Sequence, residues 1–478
     1  MKLPQLIQKS MSCWGERKMA EKVKIGVVPI RRSFLSMDEA VKQKQRFMKV
    51  IREIRPDASA LIDIDDICEN GILWDAHKVD EVVSKMKANG ATALFLAFCD
   101  FGEEVVTARV AAALKLPVLV WGARDERVNS DESRGRDTQC GMFAATKVLA
   151  RMGVTYSYIY NVAPETAEFR FGFETFIRTM AVVQSLRGLK IAQIGQRPSS
   201  FMSVVASEGA LMENFGIEVL PLQVHTILRR MDEIKKHALH RDVLEQLKAK
   251  VDTSKMADAK VENMAAFKIA LRDSLDQLGC RGAAFECWSA FPLEIGFTPC
   301  FMLGELIDEG YPISCETDLN GAVTSVMLQA ASLGDSSPFF ADLTVRHPEN
   351  DNAELLWHCG PFPYSLRDPA CSPYLVEGRG RFLLMKKGDI TIARLDDIHG
   401  QYQFVAVEGR SVEGPATTGT YTYFETENWK RVEEKFIFGP YIHHVAGCHG
   451  KYAHCLKEAI RYLPAIKWDD LNCGPVSL

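Results

Sequence analysis

With 478 residues, 57 Lys and Arg against 62 Asp and Glu, the chain has a formal charge of -5 and a length that suggests about three domains. It contains no run of five or six like charges, so it lacks the footprint of a nucleic-acid or anionic-membrane binder, and a small-molecule partner is expected. Thirteen cysteines, odd in number and never spaced C-x-x-C, argue against a disulfide framework or a zinc knuckle and for reduced thiols in a cytoplasmic protein.

The stretch M-K-L-P-Q-L-I-Q-K-S-M-S-C-W is basic but too poor in apolar residues for a signal h-region. No later run approaches a membrane span, so a soluble chain is expected. From Val23 apolar runs alternate with amphipathic stretches: V-K-I-G-V-V-P-I, a helix from Met37 to Ile54, A-L-I-D-I, a helix from Val79 to Ala88, A-L-F-L-A-F, a further helix and L-P-V-L-V-W. Such alternation predicts a parallel sheet covered on both faces. The polar loop N-S-D-E-S-R-G-R-D, residues 129–137, marks the end of this first α/β domain, assigned to 1–155.

A second α/β domain, 156–335, takes the strands Y-S-Y-I-Y, L-K-I-A-Q-I, I-E-V-L-P-L, G-A-A-F-E-C and P-I-S-C-E. A charged helical insert at about 226–278 reads as solvated faces. Beyond 335 the pattern changes to R-F-L-L-M-K-K-G-D-I-T-I-A-R-L, Q-Y-Q-F-V-A-V-E-G-R and T-G-T-Y-T-Y-F, with Gly and Asp at the breaks. The third domain, 336–478, is therefore predicted to be mostly antiparallel β and barrel-like, with a helix from Lys451 to Leu463.

Neither G-x-G-x-x-G after the first strand nor G-x-x-x-x-G-K-[ST] occurs, so neither α/β domain has a sequence case for binding a dinucleotide or nucleoside triphosphate. D-I-D-D-I-C-E-N-G, residues 63–71, fails as a calcium loop because Cys68 stands where Gly is needed. In F-G-P-Y-I-H-H-V-A-G-C-H-G-K-Y-A-H-C, residues 438–455, the Cys and His lie too close together for zinc-finger spacing. His449 and His454 read as helix-start and helix-surface residues, whereas His443 and His444 sit on a turn that can aim a side chain. Glu316, in Y-P-I-S-C-E-T-D-L-N-G-A, falls at the carboxyl end of a parallel strand, where open α/β sheets bind ligands. Asp318 reads as the cap of the next helix. Asp342 and His358 lie in apolar surroundings, which are costly unless the groups are paired or metal-bound. Arg31, Arg32, Arg197 and Trp288 also follow strands and are candidates for contacts with a small-molecule partner.

In order, C-E-T-D-L-N-G-A, F-F-A-D-L-T, L-W-H-C-G-P and G-P-Y-I-H-H resemble the L-fucose isomerase and L-arabinose isomerase superfamily, in its fucose isomerase-like branch. The resemblance implies two α/β domains and a β-rich third, and a divalent ion, usually Mn²⁺, held by Glu316, Asp342 and His444, with His358 as the extra ligand of the arabinose branch. It also implies a trimer or hexamer of identical chains. The expected activity is aldose–ketose isomerisation of a free sugar such as L-fucose, D-arabinose or L-arabinose through an ene-diol, with Glu316 and Asp342 as base and acid. The chain is shorter than bacterial fucose isomerases, and Glu286, just before W-S-A-F, inherits no role. Alternatives are an isomerase of a sulfonated or phosphorylated sugar held by Arg32 or Arg197, a non-catalytic sugar sensor, and a metal-dependent aldolase or hydrolase.

Overall fold

The computed structural model describes residues 21–126, 134–288, 290–381 and 383–471, so the N-terminal stretch and most of the loop taken as a boundary lie outside the described residues. The chain divides into two compact units, Ala20–Val183 with Lys457–Leu463, and Gln184–Leu456 with the residues from Pro464 onward.

The first unit is built on β1 (Val23–Ile30), β2 (Ser59–Ile62), β3 (Ala93–Phe98), β4 (Val118–Gly122) and β5 (Tyr156–Tyr158). All pairings are parallel and the order is β2-β1-β3-β4-β5, a doubly wound sheet. Every residue of β3 is buried, as its unbroken apolar run requires in a sheet covered on both faces. The helix Met37–Ile51 starts where the Ser36 side chain accepts the Glu39 N–H, and it ends three residues before the predicted Ile54. Tyr156–Tyr158, read from sequence as the opening strand of the second domain, pairs instead with β4. Three residues carry too little pattern to reveal which sheet they join.

In the second unit β6 (Lys190–Ile194), β7 (Glu218–Leu222), β8 (Gly282–Phe285) and β9 (Ile313–Ser314) form another parallel sheet, ordered β7-β6-β8-β9. The order reverses between β6 and β8, so the carboxyl ends of those two strands flank a topological switch point. The charged insert forms helices Val224–Lys236, Arg241–Lys250 and Asp258–Leu278. The last corrects the solvated reading: Lys268, Arg272 and Asp273 are buried in it, and Lys268 pairs with Glu305 and Glu309. Paired charges satisfy each other inside, which their sequence alone does not disclose.

The same unit contains β10 (Pro338–Arg346), β11 (Ala353–His358), β12 (Tyr374–Val376), β13 (Arg379–Arg381), β14 (Leu383–Leu384), β15 (Asp389–Ile398), β16 (Gln401–Val412), β17 (Thr420–Thr426), β18 (His444–His449) and β19 (Ile466–Trp468). β12 and β13 form a separate hairpin. Antiparallel pairings run β17-β11-β10-β18-β15-β16 and return from β16 to β17, so six strands close into a ring, with β14 and β19 attached in parallel. Phe339, Leu356, Ile392, Val405, Phe424 and Val445 fill a core there. Among the described residues no helix is long and apolar enough to cross a membrane.

Candidate metal centre

Ladder register brings together residues far apart in sequence. Asp342 on β10 lies opposite His444 on β18 and, on its other side, opposite Trp357, the neighbour of His358 on β11. His444 opens a strand, which corrects its expected place on a turn entering a helix. Glu316 arrives from the carboxyl end of β9. Both Glu316 and Thr317 have left-handed backbones, with φ of 53° and 60°. Strain of about 1–3 kcal/mol per residue is tolerated where surroundings fix a functional geometry, and here it turns the chain abruptly from strand to helix.

Four side-chain atoms converge. Glu316 Oε2 lies 3.7 Å from His358 Nε2 and 3.7 Å from His444 Nε2, while Asp342 Oδ1 lies 3.9 Å and 3.5 Å from the same nitrogens. Glu316 Oε2, Asp342 Oδ1 and His358 Nε2 are buried and have no hydrogen-bond partner. Three orphaned polar atoms aimed at one space are costly unless something occupies it. Two carboxylate oxygens and two imidazole nitrogens suit a borderline or hard divalent cation, and the separations are only slightly wider than the edges of about 3.0–3.5 Å that such a shell needs.

The outer partners differ between the imidazoles. His444 Nδ1 donates to Asp318 Oδ2 at 2.9 Å, which leaves its Nε2 lone pair facing the cage. Burial alone would raise the Asp318 carboxyl, but Arg394 and then His444 outweigh it and hold Asp318 well below the carboxylate range. Asp318 also accepts the Gly321 N–H at 2.8 Å, so it is the expected helix cap and a positioning residue as well. Arg394 bridges Asp318 to Asp396 entirely out of solvent. A Cβ on Gly321 would lie 2.6 Å from the Phe340 ring and 2.7 Å from Asp318 Oδ2, which accounts for glycine in N-G-A.

His358 is held the other way: its Nδ1 accepts the Cys359 N–H at 2.9 Å, so the neutral ring carries its proton on Nε2. Burial opposes its protonation, yet Cys359, Asp342 and Glu316 together raise it well above the usual imidazole value. For Glu316, burial raises the carboxyl, and His358 followed by His444 bring it below the ordinary value.

Beside the cage stands an aromatic wall. Phe201 stacks on His444 with centroids 5.7 Å apart, meets Trp288 edge-on at 6.2 Å and meets His443 at 5.7 Å. Trp288 is 45% exposed, so a flat apolar face stays open next to the four donors. Arg197 donates to the carbonyls of Pro198 and Phe201 and shapes the loop after β6 that carries Phe201. Glu286 accepts the Gln196 N–H at 3.0 Å and so ties this loop to the end of β8, a role its sequence context did not reveal.

Arg31 and Arg32 belong to the first unit. Arg31 donates to the carbonyls of Ser33 and Leu35, and Arg32 to that of Gly102 with Glu103 nearby. His443 lies with Asp342 and His444 in one cluster of possible ligand atoms. His449 ends β18, where burial lowers it to about 4, and His454 is exposed on the helix Ala453–Ile460.

With acids and imidazoles clustered as possible ligands, two isomerase-family matches make this a metal-binding aldose–ketose isomerase. A family profile described as "Fucose/sulfoquinovose isomerase, N-terminal domain" matches residues 26–187, and one described as "L-fucose isomerase, C-terminal domain" matches residues 371–469. The chain belongs to the fucose/arabinose isomerase superfamily. It is 26% identical over 306 residues to a sulfoquinovose isomerase of Alkalicoccus urumqiensis, covering 63% of this chain and 68% of that protein. It is 22% identical over 447 residues to a sulfoquinovose isomerase of Priestia aryabhattai, covering 91% of this chain and 96% of the relative. A third sulfoquinovose isomerase, from Clostridium sp. (strain MSTE9), is 24% identical over 271 residues, 56% of this chain and 59% of its own.

Proposed function

We propose that the chain isomerises an anionic sugar of the sulfonated-hexose class, such as sulfoquinovose, between aldose and ketose. The supporting observation for the chemistry is the convergence of three partnerless buried donor atoms beside His444 Nε2. The names of the relatives support the substrate class, and favour it over the neutral deoxyhexose or pentose expected first. A sensor protein would have no use for such a donor set.

Glu316, Asp342 and His444 are the proposed ligands of a divalent ion such as Mn²⁺. His358 joins them when its proton passes to Nδ1, where the Cys359 sulfur lies 3.3 Å away as an acceptor. When bound, the ion would act as a Lewis acid that polarises the sugar carbonyl and lowers the cost of charge on the adjacent hydroxyl oxygen. The chain supplies the proton traffic: one of Glu316 and Asp342 takes the proton from the carbon beside the carbonyl, a carboxyl returns it to the former carbonyl carbon, and the hydroxyl proton passes to the former carbonyl oxygen. Such acid–base help contributes roughly 10² to 10⁴ in rate. Trp288 and Phe201 offer the sugar a flat surface, and Arg197 is the proposed partner of the anionic substituent in this unit.

Purified protein should be offered a panel of sulfonated, phosphorylated and neutral aldoses, and the products analysed. A sulfonated ketose, formed with chelator-sensitive turnover that Mn²⁺ restores, is expected. Full activity in metal-free protein would overturn the centre, and turnover of neutral sugars alone would overturn the substrate class.

A further inference from the structure

Behind Glu316 the structure places two thiols. Cys315 directly follows β9 and Cys287 lies two residues beyond β8, and these strands are parallel neighbours with Ala284 opposite Ser314. The ladder therefore brings the thiols side by side at the carboxyl end of the sheet. Cys287 and Cys315 are fully buried, and their sulfurs and a Glu316 oxygen all lie within 4.8 Å of one another. The Cys287 thiol donates to Glu316 Oε1 at 3.5 Å, whereas Oε2 of the same carboxylate is the orphaned atom facing His358 and His444.

Buried cysteines commonly serve as small apolar side chains, and such a role needs neither their pairing nor a carboxylate. Here two sulfurs and one carboxylate oxygen converge. Thiolates select soft or borderline ions such as Zn²⁺ over Mn²⁺, and sulfur–metal bonds of about 2.3 Å are compatible with this spacing once the thiols close on an ion. The imidazole cage offers only N and O donors, so the two sides of Glu316 present different chemistry.

We propose that Cys287, Cys315 and Glu316 Oε1 form a second metal site, selective for thiophilic divalent cations, which shares Glu316 with the carboxylate–imidazole cage. Binding forms two metal–sulfur bonds and one metal–oxygen bond, and the two thiol protons leave to solvent. An ion there engages the carboxylate that the cage also uses, so the two loadings are coupled. This proposal rests on geometry and stands or falls apart from the isomerase reading, because its test uses no substrate.

The test is X-ray absorption at the zinc edge of the full chain loaded with Zn²⁺ in the presence of Mn²⁺, together with the ultraviolet sulfur-to-metal charge-transfer band on Cd²⁺ addition. Two sulfurs per bound zinc are expected in the unsubstituted protein, a measurement that needs no variant. Cys287→Ser/Cys315→Ser should lose the sulfur signal. Cys300→Ser/Cys359→Ser, which removes another close thiol pair with sulfurs 3.3 Å apart, should keep it. A zinc shell of only nitrogen and oxygen, or sulfur that survives the first double substitution, would overturn the site.

Discussion

His444 and His358 face the same two carboxylates, but their far nitrogens are held in opposite senses. The Asp318 carboxylate fixes His444 as an Nε2 lone-pair donor before any ion arrives, while the Cys359 N–H places the His358 proton on the nitrogen that would have to bind. The two imidazoles should therefore be unequal. In calorimetric titration with Mn²⁺, His444→Ala should lose more than the roughly 10- to 100-fold affinity typical of deleting an outer partner, and His358→Ala should lose less than His444→Ala. Asp318→Asn keeps the shape but offers an amide that can donate to Nδ1, which would place the His444 proton on Nε2. It should weaken Mn²⁺ binding by about 10- to 100-fold, and unchanged affinity would show that the tautomer is not set from Asp318. Glu316 was legible in the sequence because it ends an apolar strand before a helix. The second role of Asp318 was not, because Arg394 and His444 meet it only through the fold.

Strand β11 carries a site-facing residue, His358, at one end and an internal strain at the other. Glu354 on this strand is buried, its Oε2 lacks a partner, and burial raises its carboxyl to about 7 despite Arg346 nearby. The folded chain thus binds this proton more tightly than the unfolded chain, whose carboxyl titrates near the ordinary value. The stabilising contribution is complete below the unfolded value and is lost as pH rises through about 7. At one pH unit per 1.36 kcal/mol, the loss is on the order of 2–3 kcal/mol. Denaturant unfolding at pH 5 and pH 8 should show this decline in the natural chain and a much smaller one in Glu354→Gln, which should be the more stable at pH 8. Parallel declines would clear Glu354. The same strand shows how legibility ran at this scale: the sequence placed His358 in apolar surroundings without marking a strand there, and the β10–β11 and β10–β18 registers that carry the site became visible only with the fold. Helix Asp258–Leu278 was misjudged as solvated for a related reason, since its charges are matched by Glu305 and Glu309 from outside the helix.

Two sheets of the same winding order, one in each unit, show how one local grammar, apolar strand then amphipathic helix, can be used twice, with the donor cage built where the second sheet meets the ring of β10, β11 and β18. That grammar is periodic and survives in the sequence, which is why the fold class was legible, whereas ring closure depends on β16 pairing with β17 through a register that no local pattern encodes. The cage as a whole also constrains the reaction. Isomerisation can proceed by proton transfer through an ene-diol or by a hydride shift between the two carbons. A hydride shift needs no base at the migrating carbon, but the chain aims two carboxylates at the cage, Glu316 from the β9 end and Asp342 from β10. Proton transfer is the route that uses them. Turnover in deuterium oxide should therefore place solvent deuterium on the carbon that receives the proton. Glu316→Gln and Asp342→Asn should each remove that exchange together with isomerisation, and a variant that keeps its metal while losing both would identify the carboxylate as the base or acid. Product free of carbon-bound deuterium, at full turnover, would leave a hydride shift, or transfer of a proton fully shielded from solvent, as the better account.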